Sequence, residues 1–173
     1  MGKRLTAQTG REVEVTNPAV NGFTTIDLID KELAHVDRLK PDLVTILIGV
    51  NDLVRGRQTG QYRASLETIY DAVAALELPS GRTLAISIPN WSVTPAARQY
   101  GDPEEIRHLT DTFNDIAHEE AEARGFKWVD ITAASISGLG SADWISADDL
   151  HPGDKQYAAW AEVIWHSVRP AWE

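Results

Sequence analysis

A histidine and two aspartates near the end of the chain have the spacing of a general base and an orienting carboxylate. His151 lies in Asp148-Asp-Leu-His-Pro152. A carboxylate three residues before it can hydrogen-bond one ring nitrogen and leave the other free to accept a proton. Alternatively, Asp148 or Asp149 caps the C-terminal helix and His151 is solvated beside it. The other histidines fall within helical patterns and are expected to be surface or packing residues: His35, His108, His118 and His166.

Two further residues could donate hydrogen bonds to a developing negative charge on oxygen. Asn51 follows an apolar run in Gly49-Val-Asn-Asp52, where its amide could face a cleft and stabilise an oxyanion. Gly22, within Asn17–Thr25, lets the backbone approach a ligand closely and present its N–H. Each also has a plain structural interpretation, because Gly, Asn and Asp favour turns and Thr25 could cap the following helix.

Strand-like and helical patterns alternate along the chain. Four runs are predicted strands: Val13–Thr16, Leu43–Gly49, Thr83–Ile88 and Trp128–Ile131. Apolar residues at helical spacing lie between them and after the last. Asp102-Pro-Glu-Glu105 predicts a helix start and Arg124-Gly125 a helix end. This alternation predicts an α/β fold with a mostly parallel, doubly wound sheet, in one domain covering residues 1–173.

In such a sheet, ligands bind beyond the carboxyl ends of the strands. Four segments leave the strands there, and functional residues are expected in them: 17–25, 49–60, 89–100 and 132–151. The last segment is long and irregular, and loops of that length in compact domains are usually functional.

The composition excludes several classes of protein. The 173 residues carry a formal net charge of −10, which argues against binding to nucleic acid or to an anionic membrane. The chain has no cysteine, so disulfides, thiolate metal sites and cysteine nucleophiles are excluded. Neither a metal site nor a Gly-rich phosphate loop is indicated, and no cofactor is expected. The first residues lack the apolar stretch of a signal peptide, so a cytoplasmic location is expected.

Together and in this order, these motifs resemble those of the SGNH hydrolases, the GDSL lipase/acylhydrolase family. The Gly22 segment resembles the family's second block, Gly49-Val-Asn-Asp52 the third and Asp148-x-x-His151 the fifth. Ser87–Pro95 resembles a stretch that is common in one bacterial branch of the family.

The resemblance implies a three-layer, flavodoxin-like fold and hydrolysis of small acyl esters. His151 would be the general base, Asp148 would orient it, and Gly22 and Asn51 would be oxyanion donors. Trp91 and Trp144 are candidate walls of an acyl pocket, since aromatic rings offer large apolar area. Ordinary packing is the alternative for both.

One block of the family is missing from this sequence. The nucleophilic serine belongs to a Gly-Asp-Ser segment at the end of the family's first strand, and none of the residues before Gly22 is serine. Three explanations stay open. The chain is a shortened form of an active enzyme, or a catalytically inactive relative that binds an acyl or glycan ligand, or another serine substitutes. The best substitute is Ser92, because its loop leaves a strand at the cleft end; capping a turn beside Pro95 is the other interpretation of that serine. As written, the chain is expected to have little or no esterase activity.

By the same resemblance, the chain lacks the family's first strand, at whose end the Gly-Asp-Ser segment lies. In flavodoxin-like order it would lie between Val13–Thr16 and Leu43–Ile48. Without it, we expect Val13–Thr16 to slide inward, or a second chain to donate a strand, which favours a homo-oligomer.

Overall fold

The computed structural model describes residues 1–172, with residue 37 described by its backbone. Three strands form: β1 Val44–Ile46, β2 Thr83–Ile86 and β3 Lys127–Val129. The α-helices are α1 Gly2–Thr9, α2 Thr25–Lys31, α3 Leu33–Leu39, α4 Val50–Val54, α5 Thr59–Ala74, α6 Pro103–Ala123, α7 Thr132–Ile136 and α8 Asp154–Val168. Two 3-10 helices cover Pro95–Gln99 and Arg169–Trp172.

The strands form a parallel sheet in the order β1-β2-β3. Val44 pairs with Thr83, and Leu84 pairs with Lys127 on the other side of β2. Every residue of the central strand β2 is buried, as expected for a strand that is covered on both faces. The predicted α/β architecture is confirmed, and each strand is shorter than its apolar run.

Helices cover both faces of the sheet and make two apolar cores. The larger core packs α5 and α6 on one face, around Tyr62, Leu66 and Phe113. The smaller core packs α8 on the other face, where Trp160 and Val168 meet Leu84 and Ile86. Successive residues of β2 therefore point into different cores, which is the period of two that a strand imposes. These are the three layers that the sequence predicts.

Side chains cap the starts of α2, α5 and α6. The Asp102 side chain accepts hydrogen bonds from the backbone N–H groups of Glu104 and Glu105 and caps α6. At the start of α2 the cap is Thr24, which forms a capping box with Asp27, so the expectation of a Thr25 cap is wrong. Thr25 is fully buried and serves a different purpose, described below.

The predicted strand Val13–Thr16 does not form, and this prediction is wrong. The segment is irregular, and within the described residues its backbone makes no hydrogen bond. It lies beside α1, where a Cβ built on Gly2 would come 2.7 Å from Val15 Cγ2. The helix is in turn tied to α8 through an ion pair between Arg4 and Glu162. An edge strand needs a neighbour for its ladder, and within residues 1–172 no strand lies beside this segment.

The outer flank of β1 accordingly has no strand beside it within residues 1–172. The inward slide of Val13–Thr16 is therefore not observed, and that expectation is wrong for the single chain. Thr45 and Leu47 are exposed next to this flank, Leu47 by 39%. The flank is a free sheet edge of the kind that invites pairing with another chain.

Candidate functional site

His151 lies on a closed loop at the start of the last helix. Ile145 and Pro152 form an antiparallel bridge, and the Ser146 N–H donates to the His151 carbonyl at 2.8 Å. Asp149 adopts a left-handed conformation, with φ of 61°, which turns the chain sharply inside the loop. The loop therefore brings residues 148 and 151 to face one another.

The Asp148 carboxylate organises this loop. Its Oδ2 lies 2.5 Å from His151 Nδ1. Its Oδ1 accepts from the Ser146 hydroxyl at 2.5 Å and from the backbone N–H groups of Leu150 and His151 at 3.0 and 2.9 Å. These hydrogen bonds, that from Ser146 first, hold the pKa of Asp148 well below its usual range. The carboxylate is therefore charged at neutral pH and fixes the orientation of the imidazole ring.

This geometry excludes the helix cap as the role of Asp148. The N-cap of α8 is Gly153, and no side chain of the described residues caps that helix. Both Asp148 oxygens are instead used inside the 146–151 loop, one of them by the histidine ring. Nε2 of His151 makes no hydrogen bond to any described residue, and half of the side chain is exposed. The pair can therefore act as an oriented general base.

Asn51 is positioned by the abrupt turn from β1 into α4. Gly49 has φ of 123°, which a residue with a side chain rarely adopts. A Cβ at Gly49 would lie 2.6 Å from the hydroxyl oxygen of Tyr62. Asn51 follows in the first turn of α4 and donates from Nδ2 to the Phe23 carbonyl at 3.0 Å. Its amide therefore faces the segment that contains Gly22.

Gly22 presents an open backbone to the same region. Its φ is +87°, and a Cβ there would meet nothing within 4 Å. Its carbonyl accepts a hydrogen bond from Arg55 at 2.9 Å, whereas its N–H has no partner among residues 1–172. An N–H without a protein partner can donate to an oxyanion.

A buried carboxylate that the sequence analysis did not single out lies next to Asn51. Asp52 is completely buried. Its Oδ2 accepts from the Thr25 N–H at 2.8 Å and its Oδ1 from the Thr25 hydroxyl at 2.6 Å. The sequence signal for the contact between Asp52 and Thr25 was weak, because an Asp after a strand is ordinarily a turn residue.

The three remaining candidates all lie on loops beside α7 and are buried. Trp91 and Trp144 are 7% and 6% exposed, and the Trp144 ring N–H donates to the Ser135 carbonyl at 2.9 Å. Ser92 is 7% exposed, and its hydroxyl donates to Asn90 Oδ1 at 2.7 Å. The roles of pocket walls for the tryptophans and of a substitute nucleophile for Ser92 stay predictions.

The candidate residues form two pairs: Asp148 contacts His151 directly, and Asn51 lies near Gly22 through its hydrogen bond to the neighbouring Phe23 carbonyl. The first pair is also tied to the 89–100 segment, since Ala96 N–H donates to the Asp149 carbonyl at 3.0 Å. No hydrogen bond among the described residues joins one pair to the other. That the two pairs share one cleft stays a prediction. Among the described residues, no three His, Asp or Glu side chains converge as metal ligands.

The chain belongs to the GDSL-like lipase/acylhydrolase family, whose model matches residues 1–159. Esterase TesA of Pseudomonas aeruginosa is 25% identical over 169 residues, which are 97% of this chain and 75% of that protein.

Solved structures share the fold. A lipase/acylhydrolase from Enterococcus faecalis is 24% identical with a TM-score of 0.76, covering 98% of this chain and 83% of that one. The acetylxylan esterase Axe2 from Geobacillus stearothermophilus is 19% identical with a TM-score of 0.76, covering 96% and 78%. The family and the flavodoxin-like fold class are therefore both confirmed. In residues 1–172, no helix combines the length and the apolar character that crossing a membrane requires.

Proposed function

We propose that this chain carries the acid–base and oxyanion parts of a serine-type hydrolase of carboxylic esters. The observation that carries the proposal is the 2.5 Å contact between His151 Nδ1 and a fully hydrogen-bonded Asp148 carboxylate. The names of the similar proteins, an esterase and an acetylxylan esterase, agree with an ester as substrate. Trp91 and Trp144 are proposed to limit the acyl group by their apolar area.

In this reaction a serine hydroxyl attacks the ester carbonyl while His151 Nε2 takes its proton. The negative charge moves to the carbonyl oxygen, where the Gly22 N–H and the Asn51 amide donate hydrogen bonds. The intermediate collapses, and the alcohol leaves with the proton from His151. Water activated by the same histidine then releases the acid from the acyl-enzyme and restores the serine.

The sequence given has no Gly-Asp-Ser segment, so the 173 residues are proposed to lack the nucleophile. The histidine and the oxyanion donors would then give at most residual hydrolysis, on the order of 10³–10⁴ over water. A catalytically inactive relative that binds an acyl ligand is the second candidate function. The oriented Asp148–His151 pair and the Asn51 amide could hold such a ligand without turnover.

Labelling tests whether a serine of this chain is activated. A fluorophosphonate probe should leave the protein unlabelled, and p-nitrophenyl acetate should be hydrolysed only at a residual rate. Stoichiometric labelling would contradict the proposal, and mapping it to Ser92 would support that residue as a substitute nucleophile.

A second experiment separates the enzyme from the binding module. A strand ending in Gly-Asp-Ser is fused before Met1, and ester turnover is measured. Turnover should appear and should be lost in His151→Ala. His166→Ala is the matched control, because that ring is hydrogen-bonded to the carbonyl of Glu162 on α8. An extended protein that binds the ester without turnover would favour the binding module.

The proposal of a homo-oligomer rests on two features, the free flank of β1 and the exposed Val13–Thr16 segment. Val15 is 68% exposed, and alternation of Val with polar residues suits a strand. Two copies could exchange these segments in a closed two-fold dimer. Because the chain has no cysteine, single variants Val15→Cys and Thr45→Cys can be mixed with a short bis-maleimide cross-linker. Cross-links between a Val15→Cys chain and a Thr45→Cys chain support the exchange. Chains that stay monomeric, or cross-links between two Thr45→Cys chains, contradict it.

A further inference from the structure

The buried carboxylate of Asp52 joins the two segments that carry the proposed oxyanion donors. An unpaired charge in a protein interior is costly, so such a group persists where hydrogen bonds and a counter-charge satisfy it. Both Asp52 oxygens are taken by Thr25, through its N–H and its hydroxyl. The guanidinium of Arg57 supplies the counter-charge, with Nε 3.5 Å from Oδ1.

Among the described residues, three hydrogen-bonded contacts link residues 51–55 to residues 22–25, and the contact of Asp52 lies deepest. Asn51 donates to the Phe23 carbonyl in a partly buried position, and Arg55 donates to the Gly22 carbonyl at the surface. The Asp52–Thr25 contact is fully buried and has two hydrogen bonds. Since hydrogen bonds strengthen where water is excluded, it is the contact best able to fix the spacing of the two segments.

We propose that Asp52 is a positioning residue that holds the Gly22 N–H and the Asn51 amide at the spacing of a two-donor oxyanion site. The inference rests on the proposed function, which assigns those two donors. Asp52 does not touch the substrate; it acts through Thr25 on one side and through its neighbour Asn51 on the other. Loss of one oxyanion donor costs about 10²–10³ in kcat, so loose donors would lower oxyanion affinity.

The chain offers a matched pair of substitutions on adjacent buried threonines. Thr25→Val removes the hydroxyl that donates to Asp52. Thr24→Val removes the capping hydroxyl of the same helix, which interacts with Asp27 and not with Asp52. Both should destabilise α2, and the difference between them isolates the contact with Asp52. Asp52→Leu removes both acceptors at similar size. Asp52→Asn can still accept from the Thr25 N–H and can donate to its hydroxyl, so it is the conservative variant.

Nuclear magnetic resonance of the 173-residue chain reads out the geometry directly. Thr25→Val and Asp52→Leu should move the side-chain amide resonances of Asn51. In Asp52→Leu, the Thr25 amide proton should exchange on the order of 10–100-fold faster, since a hydrogen bond to a charged group is lost. Asp52→Asn should restore most of both signals. Thr24→Val should lower Tm and leave the Asn51 signals in place.

Titration with sodium acetate, a carboxylate product of ester cleavage, adds a functional readout. Acetate should shift the Gly22 and Asn51 amides in the wild-type chain, and Asp52→Leu should weaken its binding at least tenfold. Unmoved Asn51 signals in Asp52→Leu, or equal movement in Thr24→Val, would overturn the role of Asp52. If acetate leaves both wild-type amides unshifted, the oxyanion site of the proposed function fails, while the comparison of variants still decides the role of Asp52.

Discussion

Replacing Gly49 by alanine would put a methyl group where the Tyr62 ring already lies. The new Cβ would be 2.6 Å from the Tyr62 hydroxyl oxygen and 2.9 Å from two ring carbons. The ring cannot move easily, because Tyr62 is completely buried and stacks on Phe113 with ring centroids 4.3 Å apart. Its hydroxyl also donates to the Ile48 carbonyl.

Two costs add at this position. A φ of 123° is strained for a residue with a side chain, by about 1–3 kcal/mol. Forcing an extra methyl into a packed core costs about 1–3 kcal/mol more. Gly49→Ala should therefore lower the free energy of unfolding by about 2–6 kcal/mol, a large part of the roughly 5–15 kcal/mol typical of a domain.

Urea unfolding followed by tryptophan fluorescence measures this loss. The matched control is Gly60→Ala, because Gly60 lies in α5 without a positive φ, and a Cβ there would meet nothing within 4 Å. That change should stabilise the chain by about 0.5–1 kcal/mol. Adding Tyr62→Phe to Gly49→Ala should recover part of the loss by removing the nearest atom. If the free energy of unfolding of Gly49→Ala lies within about 0.5 kcal/mol of the wild-type value, as for an ordinary surface substitution, the steric reasoning is refuted.

Three further predictions concern the loops and the free edge. Gly138→Ala should cost about 1–3 kcal/mol in urea unfolding, because its Cβ would lie 2.3 Å from the Trp144 ring; an unchanged midpoint would contradict it. Because the pKa of Asp148 is lowered in the folded chain, its ionised carboxylate stabilises the 146–151 loop at pH values above about 4, the ordinary aspartate pKa. This contribution is lost as the pH falls further. The backbone amide shift of Leu150, whose N–H donates to Asp148, should report that loss, and a midpoint at the ordinary aspartate pKa would argue against it. Val15→Pro should convert a dimer to monomers in light scattering, because proline has no N–H to donate to a strand ladder; a wild type that is already monomeric would contradict the exchange.

Much of the fold could be predicted because its signals are local. The continuous apolar runs around β1 and β2 mark strands buried on both faces, wherever they pack. Asp102 before Pro103 specifies a helix start by its own capping bonds. The same holds for Asp148 and His151, which are close in sequence and need one tight loop to meet.

The failures occur where a residue's partner is distant in the chain. Val13–Thr16 has strand composition, yet a strand exists only when a neighbour completes its ladder, and here the segment lies against α1 instead. Thr25 is of a residue type that often caps helices, but the cap is Thr24. The Thr25 hydroxyl instead donates to Asp52, 27 residues away.

By itself, the sequence determined the three strands that form, the long helices between and after them, the family, and the short-range contact between Asp148 and His151. The tertiary structure decided the contacts between distant segments: Asn51 with Phe23, Asp52 with Thr25, and Gly49 against Tyr62. The physical reason is that periodicity and capping depend on neighbours along the chain, whereas a buried hydrogen bond depends on which segments the packed core brings together.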